Sequence, residues 1–412
     1  MIVGRVNNRV QTEFVVNARQ IAAITTAFML PLSTSGEAIG VSVFAILAVI
    51  TLDRSQFKQV LARAPAWLPV VLFGIILVGV LWSMLPLTLA MKWVGPYAKL
   101  LLIPLVMANS FSVRQARQIG LGFLIACLIL LCLSWASFLW PSGPWGWFSL
   151  PGVPVKDNAV QSECFALSAF GLVLAAIEFR QEKHYKLMSA CVVVALLFFS
   201  NLFVIYLSKT GVLVAFSLLG VFIIRLRNWR HGVLFFALAL SVAVSTAMIS
   251  SSAQRKLTEI ATDIQATTPS SETVSTASRR DFWWKAYVFV LDAPIFGHGT
   301  GSIQPLYQQM EATAPSPYGQ AVADPHNQFL HTVLQVGLVG GFILVTMWLV
   351  HFRLFLARDP VSLLGLAVVI QNVVGSLFNS HLSQVTQGML YCLAVGLIGS
   401  LILNQNKLRS IS

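Results

Sequence analysis

The sequence predicts an all-α polytopic membrane protein of about twelve transmembrane helices, with one large helical loop on the extracytoplasmic side. Three observations carry this. Hydrophobic residues make up 57% of the 412 and charged residues only 10%, with a mean hydropathy of +0.77. A soluble domain needs about a quarter of its residues charged to cover its surface. Apolar runs of about twenty residues recur from end to end, each long enough to cross the hydrocarbon core as a helix, whereas a barrel would need alternating segments of about ten. Finally, a single stretch, 251–326, is both long and hydrophilic.

Taken in order, the predicted spans are 18–34, 36–52, 66–84, 87–109, 117–140, 158–178, 187–207, 210–225, 232–250, 327–351, 361–379 and 385–404. Arg5, Arg9 and Arg19 precede the first run and no small-residue cleavage site follows it, so this helix is expected to stay as an anchor. With the N-terminus in the cytoplasm, the linkers 53–65, 110–116, 179–186, 226–231 and 352–360 and the C-terminal tail also face the cytoplasm. All but nine of the 27 Lys and Arg then lie on that side. The exceptions are Lys92, Lys99, Lys156, Lys209, Arg255, Lys256, Arg279, Arg280 and Lys285. Basic inner linkers and nearly uncharged short outer turns are what the positive-inside rule demands of an even helix count with both termini inside.

The net charge of +12 therefore reads as a topology signal. It sits in short clusters between apolar segments, which argues against a nucleic-acid partner. The five cysteines (Cys127, Cys132, Cys164, Cys191 and Cys392) fall inside apolar runs and read as small buried side chains. The hydrophilic stretch divides the chain into an N-terminal bundle at 1–250, a loop at 251–326 expected to hold the chemistry, and a C-terminal bundle at 327–412.

Two outer segments exceed a short turn. The first, 141–157, is rich in Trp, Gly and Pro, and its aromatic rings suit the membrane interface. The second is the long loop, and a long loop in a compact protein is usually functional. Its pattern predicts an amphipathic helix near 253–264, a Ser/Thr-rich linker at 267–278 and a helix at 279–292. A Gly-rich turn GHGTGS at 297–302, a short helix at 302–312 and the sequence DPHNQFLH at 324–331 follow. GHGTGS lacks the lysine placement of a nucleotide-binding loop and has no strand before it. It reads as a sharp turn back toward the membrane, with no nucleotide partner.

Charges outside the inner linkers are few, so each one is informative. Lys92 and Lys99 lie seven apart, which on a helix puts them on one face. A cation in the membrane usually faces a cavity or a partner, the alternative being to snorkel to the interface, which suits Lys92 better than the deeper Lys99. Lys209 sits in YLSKTG, a tight outer turn. Arg279 and Arg280 open a helix that continues with Trp283 and Trp284. Arginines at a helix N-terminus oppose the macrodipole, so they are not there to stabilise it. Guanidinium groups suit bidentate contact with phosphate oxygens, or attraction to anionic lipid headgroups. His298, His326, His331 and His381 lie in or near outer segments, where an imidazole can accept a proton near neutral pH. No HExxH and no carboxylate cluster accompanies them, so no metal site and no cofactor is expected.

The order of these features resembles the O-antigen ligase and polymerase superfamily of bacterial envelope glycosyltransferases. It comprises a lipid-buried first half, YLSKTG, Arg279/Arg280 with WW, PIFGHGTGS, and HNQFLHTVLQVGLVGG at the start of a helix, and it is strongest over roughly 190–350. The resemblance implies a GT-C-type helical fold in the cell inner membrane and an active site at the periplasmic face. It implies a metal-independent, inverting transfer of glycan from undecaprenyl diphosphate to a sugar of the lipid A–core oligosaccharide. Mapped onto this chain, His326 is the general base and Asn327 its neighbour in the HN pair. Arg279 or Arg280 handles the diphosphate, with Lys209 standing where the family often has an arginine. Trp283, Lys92 and Lys99 complete the expected substrate-binding set. The partners implied are the lipid-linked donor, the lipid A–core acceptor and membrane lipids. Within the superfamily the repeat-unit polymerase is the alternative, which usually divides its outer chemistry between two loops. A protein-glycosylating relative would need an appended outer domain. Outside the family, a lipid-linked sugar flippase or secondary transporter would suit twelve helices but not the polar loop.

Overall fold

The computed structural model describes residues 2–148, 150, 152–205, 208–225, 276–316 and 321–409, with isolated positions between 237 and 258. Among the described residues the chain is helical, with one isolated bridge between Leu150 and Val153. The helices are α1 (Ile2–Leu32), α2 (Thr34–Ile50), α3 (Arg54–Leu61), α4 (Ala64–Val78), α5 (Leu87–Val94), α6 (Leu102–Ala108), α7 (Val113–Leu139), α8 (Asn158–Gln181), α9 (Tyr185–Val204) and α10 (Lys209–Arg225). After the long loop come α11 (Thr276–Asp292), α12 (Ile303–Thr313), α13 (Gln328–Leu354), α14 (Pro360–Ser376) and α15 (Val385–Arg409).

Polar caps mark where the apolar runs begin. Ser33 caps α2 through Gly36 N, Asp157 caps α8 through Val160 N, and Asp359 caps α14 with Pro360 at its first position. Ser112 and Gln115 form a reciprocal capping box on α7. Every predicted span coincides with a helix except 232–250, which lies outside the described residues, as do the helix expected at 253–264 and most of the 267–278 linker. Eight helices among the described residues are long and apolar enough to cross a membrane, or nine if α2 and α3, bent by 110°, form one span. The other predicted spans among the described residues, α10 and α14, are apolar helices of 17 residues each.

The fourth predicted span is present as Leu87–Ala108, but it is not a regular α-helix throughout: residues Gly95–Leu101 form a 3₁₀ segment between α5 and α6. A 3₁₀ turn takes three residues instead of 3.6, so the seven-residue spacing no longer aligns Lys92 with Lys99. Lys92 is exposed and Lys99 is buried.

Contacts across the bundle fix which helix ends lie together. At one end Arg19 donates to Asn109 Oδ1 at 2.5 Å and Thr51 Oγ1 at 2.8 Å. There too His351 bonds the Pro65 carbonyl and Arg225 bonds the Leu356 carbonyl. At the opposite end Lys156 reaches Leu30 O at 2.5 Å, Thr386 Oγ1 at 2.5 Å and the buried Glu37 carboxylate at 3.0 Å. Among the described residues, the first end gathers the basic linkers; the second carries α11 and α12.

Those two helices join the bundle through a packed cluster of Phe282, Ala286, Ile303, Leu306, Tyr307 and Leu334. Between them the turn GHGTGS inserts at a break in α13, where Val336 and Gly337 leave helical geometry. Gly337 has φ +68°, and any side chain there would overlap the Ile295 carbonyl. The backbone groups freed by the break are satisfied by the turn: His298 N bonds Leu334 O, Gly299 N bonds Gln335 O, and Leu338 N bonds Pro294 O, all within 2.9 Å. Thr300 continues inward, its N–H to Gly79 O and its hydroxyl to Ile76 O at 2.6 Å. The turn's N–H groups are therefore committed within the protein, to backbone carbonyls and, for Gly301, to Gln335 Oε1 at 2.8 Å, which argues against a phosphate cradle.

Candidate active site

The segment Asp324–Gln328 enters α13 at the loop end of the bundle, and the sequence of its caps explains its shape. Asn327 is the N-cap of α13, its Oδ1 accepting from Leu330 N at 3.0 Å. The residue before it, His326, adopts φ +54°, a left-handed conformation that costs a non-glycine residue about 1–2 kcal/mol. Asp324 holds it there: its Oδ1 accepts from His326 N at 2.8 Å and from the Ser380 hydroxyl at 2.6 Å.

The imidazole of His326 is half-buried. Its Nδ1 lies 3.1 Å from Asn379 Oδ1, and Phe282 stacks on the ring with centroids 6.2 Å apart. An Nδ1–H donated to an amide oxygen leaves the lone pair on Nε2, the tautomer a general base needs. Nε2 itself has no hydrogen bond among the described residues.

Facing this segment is one side of α11. Trp283 donates its indole N–H to Pro325 O at 3.0 Å and lies 6.3 Å from Phe378, ring to ring. Arg279, one turn earlier, shares that face with Phe282 and Trp283. Its side chain is half-buried, and its Nε has no hydrogen-bond partner among the described residues. Burial lowers the Arg279 pKa, and the Asp324 carboxylate acts in the opposite sense; an arginine so placed stays charged. Arg280 is exposed. The nearby Lys285 is fully buried and already engaged, with Asp281 at 2.6 Å, Glu311, Ser316 and the Tyr307 ring around its ammonium.

The structure brings His326, Asn327, Trp283 and Arg279 together. Asn327 is engaged as a cap, with its amide on Leu377 O at 3.1 Å, and Trp283 is engaged with the backbone of the His326 segment. Lys209 begins α10 and is half-buried. Two residues on, Gly211 packs so closely on Ser162 of α8 that a side chain would overlap it. Lys99 lies apart, its ammonium on the Gln384 and Val385 carbonyls at the start of α15. Lys92 is on the outside of α5. Among the other histidines, His331 is buried with Nδ1 on Tyr97 OH at 2.8 Å, and His298 bonds Phe289 O at 2.8 Å. Asp324, Asn379, Ser380 and Phe282 were missed from sequence. The only signal was the polar run FNSHLS at 378–383, which interrupts two apolar spans.

Together these parts define a helical membrane protein with a half-buried imidazole and a half-buried guanidinium at one end of its bundle. Residues 192–345, from α9 to the middle of α13, match the family model described as O-antigen ligase. The matched segment supports a likeness to the O-antigen ligase and polymerase superfamily, a glycosyltransferase-like group, and it contains Lys209, Arg279, Trp283 and His326. No curated protein matches the chain.

Proposed function

We propose that the chain is an O-antigen ligase. It moves polysaccharide from undecaprenyl diphosphate to the lipid A–core oligosaccharide at the periplasmic face of the inner membrane. The observation that carries this is the His326 imidazole, held by Asn379 and by Asp324, whose carboxylate also acts on the Arg279 guanidinium. His326 Nε2 takes the proton of the acceptor hydroxyl as its oxygen attacks the anomeric carbon of the donor. The bond from that carbon to the diphosphate breaks, with inversion, and the electron pair leaves with the lipid diphosphate. Arg279 meets the negative charge that develops there, in a partly dry setting where a fixed cation is most effective. Lys209, at the start of α10, supplies a further cation on the donor side.

Sidedness supports the same reading. The basic linkers gather at the end of the bundle opposite His326, which the positive-inside rule places in the cytoplasm. Both termini then lie inside, and the 251–326 loop lies in the periplasm. The GT-C-type bundle of about twelve helices remains part of this proposal.

The experiment is the glycolipid content of a strain lacking the gene. Full-length glycan stranded on the carrier lipid is expected. Single capped repeat units on the lipid A–core would instead make the chain the repeat-unit polymerase, and unchanged lipopolysaccharide would refute both.

A further inference from the structure

The loop between α14 and α15, residues 377–384, grips the His326 segment at four points. Leu377 O accepts from Asn327 Nδ2, Asn379 Oδ1 faces His326 Nδ1, Ser380 Oγ donates to Asp324, and Leu382 N donates to Gln328 Oε1 at 2.8 Å. His381, in the middle of this loop, is directed elsewhere. Its ring is fully buried, and Nε2 lies 3.2 Å from Oε1 of Glu163, which is 1% exposed on α8. Neither carboxylate oxygen of Glu163 has a hydrogen-bond partner among the described residues. Gln371, Asn372 and Gln387 line the same small chamber. The fit is tight, because a side chain at Gly375 of α14 would overlap the imidazole.

We propose that Glu163 and His381 form a buried anchor that holds the 377–384 loop in register, so that both are positioning residues for His326. A buried carboxyl group paired with a buried imidazole ties the loop to α8, since parting them would leave both polar groups out of water without each other. The anchor also reaches the donor side. Glu163 follows Ser162, the residue against which Gly211 seats the start of α10 and with it Lys209. One pair thus sets the relation between the helix start that bears Lys209 and the clamp around His326. The catalytic consequence rests on the assignment of His326 as base.

The test uses the full-length protein in bilayers, with Glu163→Gln, His381→Gln, their double variant, and Gly375→Ala, which displaces the ring without changing a charge. Each single variant is expected to lose roughly 10–100-fold in turnover, the scale seen when a partner that orients a working histidine is removed. The double variant, whose two amides can bond each other, should recover a large part of the loss. A second readout needs no transfer: the rate at which diethyl pyrocarbonate modifies His326, followed by mass spectrometry. It should change in the single variants and return in the double. Normal turnover and normal modification in the singles, or a double variant as poor as the sum of its parts, overturns the anchor. If the modification rate changes as expected but His326→Ala still transfers glycan, the anchor stands and the base assignment falls.

Discussion

Replacing Asp324 with alanine tests how the geometry around His326 is held. The carboxylate accepts two hydrogen bonds at one oxygen, from His326 N at 2.8 Å and Ser380 Oγ at 2.6 Å. Bonds to a charged group contribute about 1.5–3 kcal/mol each, so the pair is worth about 3 kcal/mol or more. They hold a backbone at φ +54° whose strain is about 1–2 kcal/mol. Without them the strained conformer loses its support, and the balance shifts by about 3 kcal/mol toward relaxed backbones that carry the ring off Asn379. At 1.36 kcal/mol per factor of ten, turnover should fall roughly 100-fold. Donor KM should change little, because the loss is in placing the base and not in binding. Asp324→Asn keeps an acceptor oxygen and should lose roughly tenfold, as a neutral bond is about half as strong. The assay is glycan transfer from polyprenyl diphosphate to lipid A–core in bilayers, with kcat and donor KM resolved. Wild-type kcat in Asp324→Ala, or a loss confined to KM, refutes the reasoning.

Three further predictions follow from the same structure. Arg279→Ala should lower kcat roughly 100-fold or more, as removing one preorganised charge-stabilising donor does, while Arg280→Ala, at an exposed position, should stay within about twofold; equal losses in steady-state transfer would contradict the division. Gly337→Ala should sharply lower the melting temperature in detergent, since φ +68° and the Ile295 carbonyl leave no place for a methyl group. Gly74→Ala, with no atom within 4 Å of the added carbon, serves as its neutral control. Burial would raise the Glu311 carboxyl, but Lys285 and Ser316 hold it below its usual range. A depressed carboxyl contributes stability that is complete above its unfolded value, about 4.3, and is lost as pH falls through the folded value. Hydrogen exchange should therefore show the α11–α12 contact intact from pH 8 to 5 and loosening below about 4; loosening between pH 5 and 7 would place the controlling group elsewhere.

The helices were legible because a membrane leaves few choices: an apolar run of about twenty residues must satisfy its own backbone, and a helix does so. The capping residues that end the runs, such as Asp157 and Asp359, emerged only with the structure. What escaped were the departures from regularity. The 3₁₀ segment at Gly95–Leu101 moved Lys99 off the face it was expected to share with Lys92. The break at Gly337 depends on a turn forty residues earlier, and no local pattern announces such a partner. At the site, His326 and the arginine pair could be found from the order of features along the chain. Asn379, Ser380 and Asp324 could not, because contacts between residues about fifty apart have no sequence period. Arg279 separated from Arg280 only when the helix face became known. Lys285, one of the nine cations outside the basic linkers, proved to be enclosed by Asp281 and Glu311.

The most direct test of a base at His326 is release of undecaprenyl diphosphate by the purified protein, given lipid-linked glycan and lipid A–core acceptor. Wild-type protein should release carrier lipid in step with acceptor glycosylation. His326→Ala, folded and still binding donor, should do so roughly 10²–10⁴-fold more slowly. Equal rates from the two proteins would contradict the account.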